Sequence, residues 1–155
     1  MRKILPLLLA LLMLACNRTE HKSVSDPAYS MLERVAELNA GGDKQGALAL
    51  ADSALLMHPA DTTRCWLLSE KAVTLVDMGR MADAVGVAQG AYRLAEKLHD
   101  VDAMLNLRGT MGIAYRRLGK TDSALVQYKE GIQMALAEHN AEYEIYLNNC
   151  VTVLY

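Results

Sequence analysis

A chain of 155 residues with 52% apolar and 22% charged residues is long enough for one packed domain and too apolar for a disordered tail. Phe is absent and aromatic residues make up only 5%, while Ala and Leu recur throughout, which favours closely packed helices over a sheet and sets an all-α expectation. The net charge is −2 with no Lys/Arg cluster, which argues against a grip on nucleic-acid phosphates.

The first segment reads as an address and not as part of the fold. Arg2 and Lys3 give a cationic start, and Ile4 to Ala15 follow as twelve uncharged residues interrupted only by Pro6. That is the layout of an export signal, and a membrane-spanning helix needs roughly 20 apolar residues. Removing it takes away two positive charges and leaves the remainder at −4. The run Met13-Leu14-Ala15-Cys16 resembles the lipobox of bacterial lipoproteins, with Met13 where Leu is usual. The resemblance implies a lipoprotein signal peptide over 1–15, cleavage before Cys16 and lipidation of the Cys16 thiol. Several acyl chains there would hold the protein to the bacterial cell envelope, at the outer membrane or the periplasmic face. The alternative is an ordinary secretory signal with an incidental Cys. Residues 16–27 are polar without a hydrophobic period and read as a flexible tether.

Beyond the tether the chain repeats itself. Gly42, Gly79 and Gly119 are each followed five residues later by Ala (Ala47, Ala84, Ala124), and Leu38, Leu75 and Tyr115 each stand nine residues before those alanines. This spacing predicts a helix, a Gly turn and a second helix, three times over. Asp43 and Thr121 are candidate N-caps for the second helices. Within a hairpin, small residues such as Gly112 and Ala124 permit close approach, and Tyr115 and Tyr128 fill the space beside them.

The third copy, with Met111-Gly112, Tyr115, Ala124 and Tyr128, resembles the tetratricopeptide pattern L-G-x-x-Y…A-x-x-x-F, and Pro59 stands where that pattern ends the first repeat. The second and third copies have Glu96 and Leu136 at that place. The resemblance implies a right-handed α-solenoid of about three and a half helical hairpins over 28–155, with repeats at about 28–60, 61–100 and 101–140 and a partial one at 141–155. The copies are 37 and 40 residues apart, against the 34 of the standard repeat, so the helices are expected to be longer by about a turn. Ile145 to Tyr155 aligns with Leu105 to Tyr115 at a shift of 40, so the last segment reads as half a hairpin with an apolar end face. The expectation is that the sequence is a fragment of a longer protein or pairs end to end.

No constellation points to catalysis, a cofactor or a metal. His58, His99 and His139 fall at the ends of the second helices, where a donor suits the exposed carbonyls and the negative end of the dipole. Cys65 and Cys150 lie two repeats apart, too far for a disulfide, and read as small buried hydrophobes. The pairs Asp100/Asp102 and Glu142/Glu144 flank turns between repeats, where acids favour the start of the next helix. Nucleophile-elbow, Walker and dinucleotide fingerprints are lacking, and the expectation is a binding protein and not an enzyme.

Function is then expected on a surface. In tetratricopeptide arrays the first helices of the hairpins line a concave groove for a peptide or a partner helix. Carried onto this chain, that pattern nominates Glu70, Val73 and Asp77, then Asn106, Gly109, Ile113, Arg116 and Arg117, and finally Asn149. Arg116 and Asn149 suit hydrogen bonds to a peptide backbone or carboxylate. Trp66 either covers the groove or packs between repeats. The expected function is a membrane-anchored scaffold that holds a protein or peptide partner, without nucleic acid or metal. The alternative is the extracytoplasmic input module of a longer signalling protein, a histidine kinase or a DNA-binding regulator.

Overall fold

The computed structural model describes residues 26–154, so the lipobox cysteine Cys16, the export signal, most of the tether and Tyr155 lie outside the described residues. Seven α-helices follow one another: α1 (Pro27–Ala40), α2 (Lys44–Leu56), α3 (Asp61–Asp77), α4 (Met81–Leu98), α5 (Val101–Arg117), α6 (Thr121–Ala137) and α7 (Ala141–Thr152). They form three antiparallel hairpins and a seventh helix, with no strand among the described residues. Helices α3 to α6 run to 17 or 18 residues, the extra length that the repeat spacing calls for, while α1 and α2 have 14 and 13.

The turns explain where each helix stops. Gly42, Gly79 and Gly119 have φ of 86°, 78° and 72°, the left-handed region open to Gly. Gly119 N–H donates to Arg116 O at 3.0 Å and Lys120 N–H to Tyr115 O at 2.9 Å, the paired bonds of a Schellman motif, and the same pair recurs at Gly79 and Gly42. The turns between hairpins use histidine for the same purpose. His58, His99 and His139 have φ of 52°, 54° and 54°. His99 N–H donates to Glu96 O and Asp100 N–H to Ala95 O, with a matching pair at His139 and Asn140. At His58 the next residue is Pro59, which has no N–H, and only the first bond forms. The histidines therefore end their helices through a left-handed backbone, beyond the side-chain role that their position suggests.

Helix starts come from polar side chains that also tie neighbouring repeats together. Asp43 accepts from Gly46 N–H at 2.9 Å and caps α2, as expected, whereas Thr121 lies inside α6, whose cap position is Lys120 and carries no side-chain bond. Asp26 accepts from Ala28 N–H at 3.0 Å and from Ala60 N–H at 3.2 Å, so one carboxylate serves the starts of α1 and α3. Asp100 caps α5 through Ala103 N–H and accepts Trp66 Nε1–H at 3.0 Å. Trp66 thus packs between repeats, against the cluster that holds Cys65, Ala91 and Leu107. Asn140 caps α7 and donates to Asp102 at 3.3 Å.

The second helices bury a stripe of mostly small residues, at spacings of four, three and four in α4 (Ala84, Ala88, Ala91 and Ala95) and α6 (Ala124, Tyr128, Gly131 and Ala135) and of four and three in the shorter α2 (Ala47, Ala51 and Ala54). The small stripe lets the helices approach, and fully buried Leu67, Leu105, Leu107 and Leu147 fill the space between them, each contributing roughly 1.5–3 kcal/mol. Tyr128 is the large member of its stripe. Its ring occupies the slot left by Gly112, where any Cβ would collide with it.

First helices touch first helices along the array, α1 with α3, α3 with α5 and α5 with α7, while the second helices α2, α4 and α6 do not touch one another. The first helices thus form a continuous layer. Arg108 of α5 bridges the gap between α4 and α6, lying over the Tyr92 ring at 4.7 Å, donating to Tyr92 Oη at 2.9 Å and pairing with Glu130.

Candidate functional site

The continuous layer of first helices carries a polar ladder inside it and an open cleft beside it. Asn39 of α1 donates to Glu70 Oε2 at 2.8 Å and accepts from Thr74 Oγ1 at 2.8 Å, and Ser69 of α3 donates to Asn106 Oδ1 of α5 at 3.0 Å. Buried polar groups are costly unless paired, so these bonds fix the axial register of α1, α3 and α5. The register in turn sets which side chains meet in the cleft.

That cleft, of about 410 Å³, lies across α3, α5 and α7. Val73, Val76 and Asp77 come from α3, Asn106, Thr110, Ile113 and Arg117 from α5, and Glu142, Tyr143 and Tyr146 from α7. Val73, Val76, Ile113 and the tyrosine rings make most of the lining apolar, and its charged members come from the last turns of α3 and α5 (Asp77, Arg117) and the first turn of α7 (Glu142). Arg117 Nη1–H donates to Val76 O at 2.9 Å, satisfying a carbonyl in the last turn of α3. Asp77 is held by Lys44 Nζ at 2.8 Å. Tyr146 can lie flat over α5 because residue 109 is Gly, where a Cβ would stand 2.9 Å from its Cε1. Burial pushes the Tyr143 hydroxyl above its ordinary pKa, and the nearby Asn106 amide opposes that rise.

Of the residues that the sequence nominates, Val73, Asp77, Asn106, Ile113 and Arg117 line this cleft. Gly109 is buried beneath Tyr146. Glu70, Arg116 and Asn149 lie outside it. Glu70 is drawn toward α1 by Asn39. Arg116 is turned toward Tyr128 and Cys150, where its charge opposes the burial-driven rise in the Tyr128 pKa, and Asn149 is exposed on α7. Val76, Thr110, Glu142, Tyr143 and Tyr146 also line the cleft and are not among the residues that the repeat pattern nominates. The signal for Tyr146 was available, because the shift of 40 that aligns the last segment pairs it with Asn106.

Other candidate chemistry resolves into structure. Cys65 is fully buried, its thiol reaches Ala91 O at 3.7 Å, and its pKa is pushed up to about 11 by burial and then by Asp100. Cys150 is half-buried, and both thiols are free. Among the described residues no group of three or more His, Cys, Asp or Glu is placed to hold a metal ion. No helix among them is long and apolar enough to cross a membrane.

The architecture defined by these observations is that of a helical repeat scaffold. Residues 63–137 match the family model of the tetratricopeptide repeat, and this part of the chain is therefore a tetratricopeptide array. The match spans α3 to α6, and the same hairpin geometry is seen in α1 and α2 before it. No curated protein matches the chain. Tetratricopeptide repeats are protein-interaction scaffolds, which directs attention to the cleft on the first-helix layer.

Proposed function

We propose that the protein holds a segment of a partner protein in the cleft formed by α3, α5 and α7. The observation that carries this reading is the unbroken first-helix layer, in which an apolar floor of Val73, Ile113 and Tyr146 is edged by polar and charged side chains. Such a surface offers shape and hydrogen bonds to a peptide while leaving the core undisturbed. No catalytic role is assigned to any residue. Replacing Ile113 with Arg places a long cation on the floor and is expected to weaken partner binding at least tenfold, a loss of about 1.4 kcal/mol. Val126→Arg, on the exposed face of α6, serves as the control and is expected to leave binding unchanged. Equal losses in the two variants would place the interaction elsewhere.

The same reading includes anchorage through Cys16 in the bacterial cell envelope, supported by the cationic start, the short apolar run and the resemblance of residues 13–16 to a lipobox. Cys16→Ser is expected to abolish metabolic labelling by a radioactive fatty acid; persistent label would overturn the anchor. The second reading, an extracytoplasmic input module of a longer signalling protein, draws on the apolar character of the last helix, where Ile145 is 62% exposed. An apolar run of about 20 residues encoded downstream distinguishes it from the scaffold.

A further inference from the structure

The cleft differs electrically between its two ends. At one end Arg117 is fixed through Val76 O, and its charge has no carboxylate partner within ion-pairing range among the described residues. Asp77 shares that end, but Lys44 already compensates it at 2.8 Å. This end is therefore net positive. At the other end Glu142 stands in the first turn of α7, without a cationic partner among the described residues. Just before it Asn140 donates to Asp102 of α5 at 3.3 Å, and one turn on Tyr146 lies over Gly109, which places Glu142 beside the first turns of α5, near the level of Asn106. Asn106 and Arg117 are separated by about 16 Å along the α5 axis, given a rise of 1.5 Å per residue. Between the ends lie Val73 and Ile113, with no charge.

An extended peptide advances about 3.3 Å per residue and turns alternate side chains to the same face. Residues i, i+2 and i+4 of such a segment therefore span about 13 Å on one side, and side-chain reach covers the remainder. We infer that the cleft selects a partner segment with an acidic side chain and a basic side chain four residues apart and an apolar residue midway. The acid meets Arg117, the base meets Glu142 and the apolar side chain rests on Val73 and Ile113. Charge complementarity at two separated points discriminates against segments that carry one sign only, since each would set a like charge at one end. This inference rests on the cleft being the partner site.

The probe is an end-blocked, fluorescein-labelled pentapeptide, Asp-Ser-Leu-Ser-Lys, followed by anisotropy on the folded protein. Changing its Lys to Gln is expected to weaken binding to the wild type about fivefold and to make no difference to Glu142→Gln. Changing its Asp to Asn is expected to do the same for the wild type and nothing for Arg117→Gln. Arg117→Lys, which keeps the charge, retains the Asp penalty and separates a charge effect from disturbance of α3. If peptide and protein changes are independent while Ile113→Arg still abolishes binding, the charge assignment is wrong and the cleft reading survives. If Ile113→Arg leaves binding intact, the peptide sits elsewhere and both readings fall. Absence of binding to the wild type by the whole peptide series also overturns the assignment.

Discussion

Tyr128 and Gly112 show how two residues divide the work of closing a hairpin. The ring fills the Gly112 slot, yet the Tyr128 hydroxyl is buried without a hydrogen-bond partner, an arrangement that costs about 1–3 kcal/mol. Tyr128→Phe is therefore expected to be neutral or stabilising, whereas Gly112→Ala forces the ring out and is expected to cost about 1–3 kcal/mol, both read by chemical denaturation. Cys65 adds a pH signature. Its folded pKa of about 11 lies above the ordinary thiol value of 9.0, so the thiol form is favoured by folding. The stabilisation is fully present below pH 9.0 and declines as the pH rises toward about 11, since the unfolded chain releases its proton first. Cys65→Ala should lose that part of the alkaline decline, and an identical decline in both proteins would refute the assignment. The pairing of Gly112 with Tyr128 was legible because both residue types belong to the repeat pattern. The orphaned hydroxyl was not, since its environment is set by helices distant in sequence.

At the scale of the element, helix ends decide the shape of the array. Three turns use Gly and three use His in the same left-handed conformation, which strains any residue with a Cβ by roughly 1–2 kcal/mol. Gly119→Ala is accordingly expected to lower stability by about 1 kcal/mol, while His99→Gly should not destabilise and should raise the midpoint if strain outweighs the added freedom of the unfolded chain. A destabilised His99→Gly would mean that the imidazole contributes contacts that outweigh the backbone strain. The sequence announced the glycine turns through their fixed distance to Ala47, Ala84 and Ala124. The positions of the histidine turns follow from the repeat, but their left-handed backbone does not, because His is only modestly enriched at positive φ and a side-chain role at the helix end suits the same position. Thr121 differs from its expected cap role for a similar reason. Several residue types can occupy a cap position, and here Lys120 does so without a side-chain bond.

For the whole molecule, the contacts between successive first helices, without contacts between second helices, produce one layer that is continuous and one that is interrupted. A partner can run along the continuous layer, and the polar ladder of Asn39, Glu70, Thr74, Ser69 and Asn106 keeps its helices in register. The hairpin order and its small-residue core were legible from sequence because they repeat. The cleft was legible on α3 and α5 and, through the shift of 40, at Tyr146, whereas Glu142 and Tyr143 depend on how α7 slides against α5. Tyr143 and Glu142 enter from the first turn of α7, and exposed Asn149, two turns further along, does not reach the cleft. Arg116 and Arg117 show the same limit: adjacent residues on a helix point about 100° apart, and only packing shows which of them faces the cleft.

Occupancy of the cleft is read directly by a photo-activatable amino acid at position 113 or, as control, at position 126, in the full chain in its native cells. A covalent adduct to one partner segment is expected from position 113 and none from position 126. Adducts from position 126 alone would put the interaction on the interrupted layer and contradict the assignment of the cleft.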